Sequence, residues 1–344
     1  MRSVRYLLMV LFVLALAAPN PVWPVNESVG PADEKVAAES EAPAEGAEVE
    51  GRGEGFQPAT EVAKGVEIPA TFGPIVTDTA IPMEKGNFAI QPTFGYSFAN
   101  SIFDEHWKRT SAGGNFQSFS MDWRLTYGLI ENMEVYAIIP YDHNWARKVI
   151  EPGPNGETSA NSGGLADIKL TLKYRLVEET ETLPTVTALF ATDFPTGKFK
   201  NLNPGALNTD VLGGGAYVFT PGFNVSKYIK PFIVYGNLWY SMQTSFTDDV
   251  GKAYPGDFVT VNLAAEYPIT GKWVALLELT STWGGGRLFG PKTNLPQESL
   301  VSIIPGIEYM ATDKFSVALG LSIDFVGKNN DAAVTPLLSM IYAF

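Results

Sequence analysis

Imidazoles, thiols and clustered carboxylates carry most enzyme chemistry, and this chain is poor in all three. It has two histidines, His106 and His143, and no cysteine. On an extended segment a base and its nucleophile must stand two residues apart, because alternate side chains leave a strand on opposite faces. Two positions after His143 stands Trp145, and Asn144 points the other way, so no such pair forms there. The run Gly284-Gly285-Gly286-Arg287 lacks the Lys-Ser or Lys-Thr and the following helix that a phosphate loop needs. No His or carboxylate group has metal-ligand spacing. The absence of thiols removes disulfides, thiolate metal sites and a lipidated N-terminal cysteine. The sequence therefore leads us to expect no catalytic residue, no metal and no cofactor.

The charges that remain are placed by period. From Asp167 to Leu176 the even positions are apolar and the odd ones polar or charged, which is a strand with one greasy and one charged face. Phe119, Met121, Trp123, Leu125 and Tyr127 share a face in the same way, as do Phe315, Val317, Leu319, Leu321, Ile323 and Phe325. The polar faces carry Asp122, Arg124, Lys169, Lys173 and Arg175 early in the chain, and Glu266, Glu278, Glu308 and Asp324 late in it. If the strands close into a barrel, these nine line its lumen, with a basic wall opposite an acidic one that would orient dipolar or zwitterionic solutes. The alternative is that neighbours pair, Asp122 with Arg124 and Asp167 with Lys169, and merely fill the interior.

Twelve alternating segments recur, near 87–99, 115–128, 132–144, 164–177, 184–194, 208–220, 228–240, 257–268, 272–284, 298–310, 314–325 and 333–344. Their connections are alternately short and long, as expected when periplasmic turns are tight and outer loops are long. Only 18% of residues are charged, while Tyr, Phe and Trp number 14, 21 and 7, a balance that suits aromatic girdles on a lipid-facing sheet. Tyr127, Trp145, Tyr174, Trp239, Tyr267, Trp273, Trp283, Tyr309 and Tyr342 lie near strand ends and fit two interfacial belts. The expected fold is all-β: a transmembrane antiparallel β-barrel of about twelve strands with long outer loops and short periplasmic turns.

Ahead of the strands, Arg2, Arg5 and the apolar run Tyr6 to Leu16 read as a secretory signal peptide over residues 1–17. The run is shorter than the roughly 20 apolar residues of a spanning helix. Residues 18–74 form an acidic leader: from Glu27 to Glu67 eleven acidic residues stand against Lys35, Arg52 and Lys64, with too little apolar surface to offset the entropy of ordering. Residues 75–344 are the barrel. The net charge is -13 and neither the leader nor the barrel is basic, so no nucleic-acid partner is expected.

The chain ends Leu338-Ser339-Met340-Ile341-Tyr342-Ala343-Phe344. A last strand closing on Phe344, with Tyr342 two residues earlier, is similar to the assembly signal of bacterial outer-membrane barrels, and implies outer-membrane lipid and the barrel-assembly machinery as partners. Gly164-Leu165-Ala166-Asp167 leading into Lys173-Tyr174-Arg175-Leu176, then Leu183-Pro184 and Phe194-Pro195-Thr196-Gly197, resembles the outer-membrane transporter family labelled "MetA-pathway of phenol degradation". That resemblance implies passage of small aromatic or other organic solutes across a bacterial outer membrane. Two further readings stand beside it. One is a structural envelope barrel with a plugged lumen. The other is a hydrolase, since outer-membrane phospholipases resemble this chain in strand number, although they need a His and a Ser two residues apart.

Overall fold

The computed structural model describes residues 62–63, 66–67, 71–249, 251–285, 288–289 and 297–344. The signal peptide and most of the acidic leader lie outside these residues. Twelve strands follow in order: β1 (Phe88–Phe103), β2 (Arg109–Ile130), β3 (Met133–Arg147), β4 in two pieces (Ser159–Leu165 and Ile168–Val177), β5 (Thr185–Phe194), β6 (Val218–Ile229), β7 (Phe232–Gln243), β8 (Phe258–Pro268), β9 (Trp273–Gly285), β10 (Gln297–Thr312), β11 (Phe315–Lys328) and β12 (Val334–Ala343). Each pairs antiparallel with its chain neighbour, and β12 pairs back onto β1 from Val334↔Phe98 to Ala343↔Ala89. The sheet is thus closed and presents no long free edge.

Closure makes the alternation a partition between two environments. On β4, Leu170, Leu172, Tyr174 and Leu176 are 41–53% exposed, whereas Thr171 and Lys173 between them are 0% exposed. Phe190, Phe223, Leu238, Leu277 and Leu319 are likewise exposed on the outside, where the solvent for such a belt is lipid. At the short-turn rim, aromatic side chains meet across strands. Trp273 lies 4.6 Å from Tyr309 and Phe232 5.4 Å from Tyr267, while Phe344 packs on Phe88 and Tyr342. The Phe344 amide also donates to the Phe88 carbonyl, so the last residue pins the seam between first and last strands.

Three details depart from the sequence expectation. The sixth strand, expected over 208–220 with a turn from Pro221 to Lys227, instead runs Val218–Ile229 and turns at Lys230-Pro231. Pro221 sits inside the strand because the ladder to β7 skips Thr220 and Pro221, and a residue without an N–H loses nothing there. The register of β7 moves with it: Trp239 faces inward, its indole N–H donating to Asn224, and does not join an outer belt. The fourth strand is interrupted at Ala166-Asp167, its outer piece pairing with β3 alone.

Candidate functional site

Residues 71–87 precede β1 and run through the barrel interior as an extended strap. Their backbone amides would be orphaned there, and the wall supplies the acceptors. Glu278 on β9 accepts from the amides of Ile75 (2.8 Å), Val76 (3.1 Å) and Thr77 (2.6 Å). Glu308 on β10 accepts from the Thr71 hydroxyl (2.8 Å) and the Phe72 amide (3.4 Å). Farther along the strap, Asp78 N–H donates to Asn237, Ala80 N–H to Ser226, and Met83 N–H to Glu134 at 2.6 Å. Thr187 donates to the Ala80 carbonyl. Ile75 packs on Val274, Leu276, Ala318 and Leu337, the apolar part of the lumen. The strap ends at the short-turn rim, where Gly86 N–H donates to the Gly128 carbonyl. A Cβ at Gly128 would stand 1.8 Å from the Glu84 carbonyl oxygen, so only glycine admits the strap so close.

Asp78 is the strap's one deeply placed charge, 6% exposed. Its Oδ1 lies 3.1 Å from Arg124 Nη1, and its Oδ2 3.2 Å from Lys173 Nζ and 2.9 Å from Asn224 Nδ2. Glu134 shares both cations, 3.3 Å from Arg124 and 2.9 Å from Lys173. Lys173 Nζ donates as well to the Thr79 carbonyl, and Arg124 lies over the Tyr136 ring at 3.8 Å. Burial works to raise the Asp78 carboxyl, but Lys173 and Arg124 prevail and hold it below its ordinary value. Two cations and two carboxylates are thereby matched in a largely buried cluster, and such pairing is the condition under which buried charge is tolerated.

The nine charged positions separate into three groups. Arg124, Lys173, Glu278 and Glu308 hold the strap, and Glu266 accepts from Tyr235 Oη at 2.8 Å in the same wall. Lys169 lies 3.4 Å from Asp193, above the strap, with Asp122 at the next inward position of β2 after Arg124. Arg175 and Asp324 hold turns and strand ends: Arg175 donates to Asn132 in the β2–β3 turn, and Asp324 accepts from Ser302 and from the Ala333 amide. The neighbour pairs expected as fillers do not form. Arg124 takes Asp78 and Glu134, and Lys169 takes Asp193.

Asp78, Glu134, Asn224 and Asn237 were not singled out by sequence. Glu134 was within reach, since it alternates with Met133 and Val135. Asn224 and Asn237 were hidden by the shifted register of β6 and β7, and Asp78 by its place outside any strand.

At the opposite end, Asp167 accepts from the amides of Gly197 (2.9 Å) and Gly214 (2.7 Å). Thr196 donates to the Ala166 carbonyl and accepts from the Ile168 amide. The two halves of the sequence motif thus clamp one another and hold loop 195–217 against the break in β4, with Asn144 donating to the Thr209 carbonyl. His143 faces outward near this end, stacked on Trp145 at 4.2 Å and 3.3 Å from Asn161 Oδ1. An amide is no nucleophile, so the hydrolase reading gains no support there.

Residues 109–335 match the model of a family described as "Putative MetA-pathway of phenol degradation". No curated protein matches the chain in sequence. Among solved structures, a crystallised outer membrane channel from Pseudomonas putida F1 is similar in fold, with a TM-score of 0.64 at 14% identity over 79% of this chain and 99% of that one. The translocator domain of the autotransporter NalP from Neisseria meningitidis aligns with a TM-score of 0.46 at 13% identity, over 77% and 91% of the two chains. With its closed wall, lipid-facing belt and aromatic rim, the barrel is that of a bacterial outer-membrane protein.

Proposed function

The chain belongs to the MetA-pathway family, and from that premise we propose that it is a narrow outer-membrane channel for passive or facilitated passage of small organic solutes, aromatic ones included. The observation that carries this reading is the way the lumen is filled. The strap is fastened to a polar wall by hydrogen bonds and ion pairs and packs on an apolar cluster through Ile75. A segment held this way detaches by exchanging polar contacts for water or solute, whereas an interdigitated apolar core would not. The Pseudomonas putida F1 protein of similar fold is an outer membrane channel, which supports the same reading.

Uptake of phenol and of small sugars by proteoliposomes tests it. Saturable or size-limited entry above that of protein-free vesicles is expected, and no entry from folded protein would contradict it. A structural barrel is the second reading, favoured by the number of strands the strap touches. It requires permeability to stay at background with or without the strap. We also propose that Tyr342 and Phe344 serve recognition by the barrel-assembly machinery, because they end the strand that closes on β1, with Phe344 packed on Phe88 across that seam.

A further inference from the structure

The charge balance around Asp78 decides what must happen when the strap moves. Arg124, Lys173 and Asn224 belong to three strands of the wall, β2, β4 and β6, and all three aim donors at one carboxylate. Glu134 balances only one of the two cations. Withdrawing Asp78 therefore leaves Arg124 and Lys173, the latter with 0% exposure, to share the single carboxylate of Glu134, and uncompensated buried charge is among the most expensive features a protein can hold. The cradle is fixed, since its side chains stand on barrel strands, whereas its carboxylate is delivered by a segment outside the sheet. A rigid set of converging donors around a removable anion is the geometry of a ligand site filled by part of the chain.

Resting on the channel reading, we propose that the Arg124–Lys173–Asn224 cradle binds the carboxylate of a small organic acid, and that Asp78 is its resident stand-in, displaced when such a solute arrives. The exchange is neutral in charge, one carboxylate for another, so it avoids the electrostatic cost of simple withdrawal. A neutral solute of the same shape brings no such compensation. A cationic one makes the imbalance worse.

Equilibrium binding to detergent-solubilised full-length protein tests this with three probes of one shape: benzoate, benzyl alcohol and benzylamine. Asp78→Asn keeps the size of the stand-in and removes its charge. Benzoate should then bind the variant tighter than wild type by about tenfold or more, the scale of one lost competitor for a buried charge, and the other two probes should show no such gain. In wild type, saturating benzoate should speed amide exchange at residues 76–80, and benzyl alcohol should not. That second readout needs no variant, so a misfolded Asp78→Asn protein leaves the proposal exposed to test. Equal affinity of both proteins for benzoate overturns it, as does tighter binding of benzylamine, or unchanged exchange in wild type under saturating benzoate. Because binding is read without transport, a barrel that conducts but ignores benzoate sinks this inference alone. A barrel that binds benzoate and passes nothing sinks the channel reading.

Discussion

Lys173 Nζ lies 3.2 Å from Asp78 Oδ2, although Lys173 stands on the fourth strand of the wall and Asp78 on a segment that precedes the first. The pair makes the lumen's contents part of its electrostatics. Lys173 also bonds Glu134 at 2.9 Å and the Thr79 carbonyl at 2.8 Å, so one ammonium joins wall and strap.

Lys173→Met keeps the stem of the side chain and removes its charge, leaving Asp78 and Glu134 to share Arg124. Breaking a buried charge set by removing one partner costs roughly 3–5 kcal/mol. We expect the loss to fall on the attachment of the strap, read as faster amide exchange at residues 77–80. Unchanged exchange would mean that the strap does not depend on this charge.

The pH response follows from Asp78. Its carboxyl is held below the ordinary value of 3.8 when the strap is seated, so the seated state binds fewer protons than the released one. Its contribution is complete above about 3.8 and is lost as pH falls through the lower value of the seated carboxyl. Wild type and Asp78→Asn should therefore differ in strap exchange at neutral pH, and the difference should narrow as pH falls below about 3.8. A difference that widened as pH fell below about 3.8 would contradict the assignment.

Glu278→Gln tests the other fastening. The carboxylate accepts from the amides of Ile75, Val76 and Thr77 through both oxygens, whereas a carboxamide has one acceptor oxygen and turns an NH2 toward donors. Leaving buried amides unpaired costs roughly 1–3 kcal/mol. Exchange should rise at residues 75–77 and stay unchanged at Asp167 and Gly214, at the other end of the barrel.

Asp167→Ala removes the acceptor for Gly197 and Gly214. Loop 195–217 should then open, which trypsin reads as faster cleavage after Lys198 and Lys200, with the barrel otherwise intact. Cleavage at the wild-type rate would reduce Asp167 to a bystander.

The wall was legible in the sequence because a strand's period of two is written in every residue, and lipid on one side leaves the greasy face no other role. The contents of the lumen were not legible. The strap has no periodicity to read, and its partners, such as Glu278 and Ile75, lie far apart in the chain. Nine charges could be placed on inward faces from alternation, but alternation says nothing about which charge meets which. Lys169 with Asp193 and Arg124 with Asp78 depend on strand register and on a segment outside the sheet. The Pro221-Gly222 dipeptide read as a turn because the local signal for a break was present. The ladder took that break on one side only and kept the strand.

The central claim is that the barrel is a channel narrowed by its own strap, and single-channel current in a planar bilayer addresses it most directly. Refolded full-length protein should be compared with a variant lacking residues 18–82, which leaves β1 and the Gly86–Gly128 contact in place. The account predicts small or infrequent steps from the full chain and larger, longer-lived ones from the variant. Identical conductance would show that the strap does not govern the lumen, and silence from both proteins would leave the barrel a structural element of the membrane.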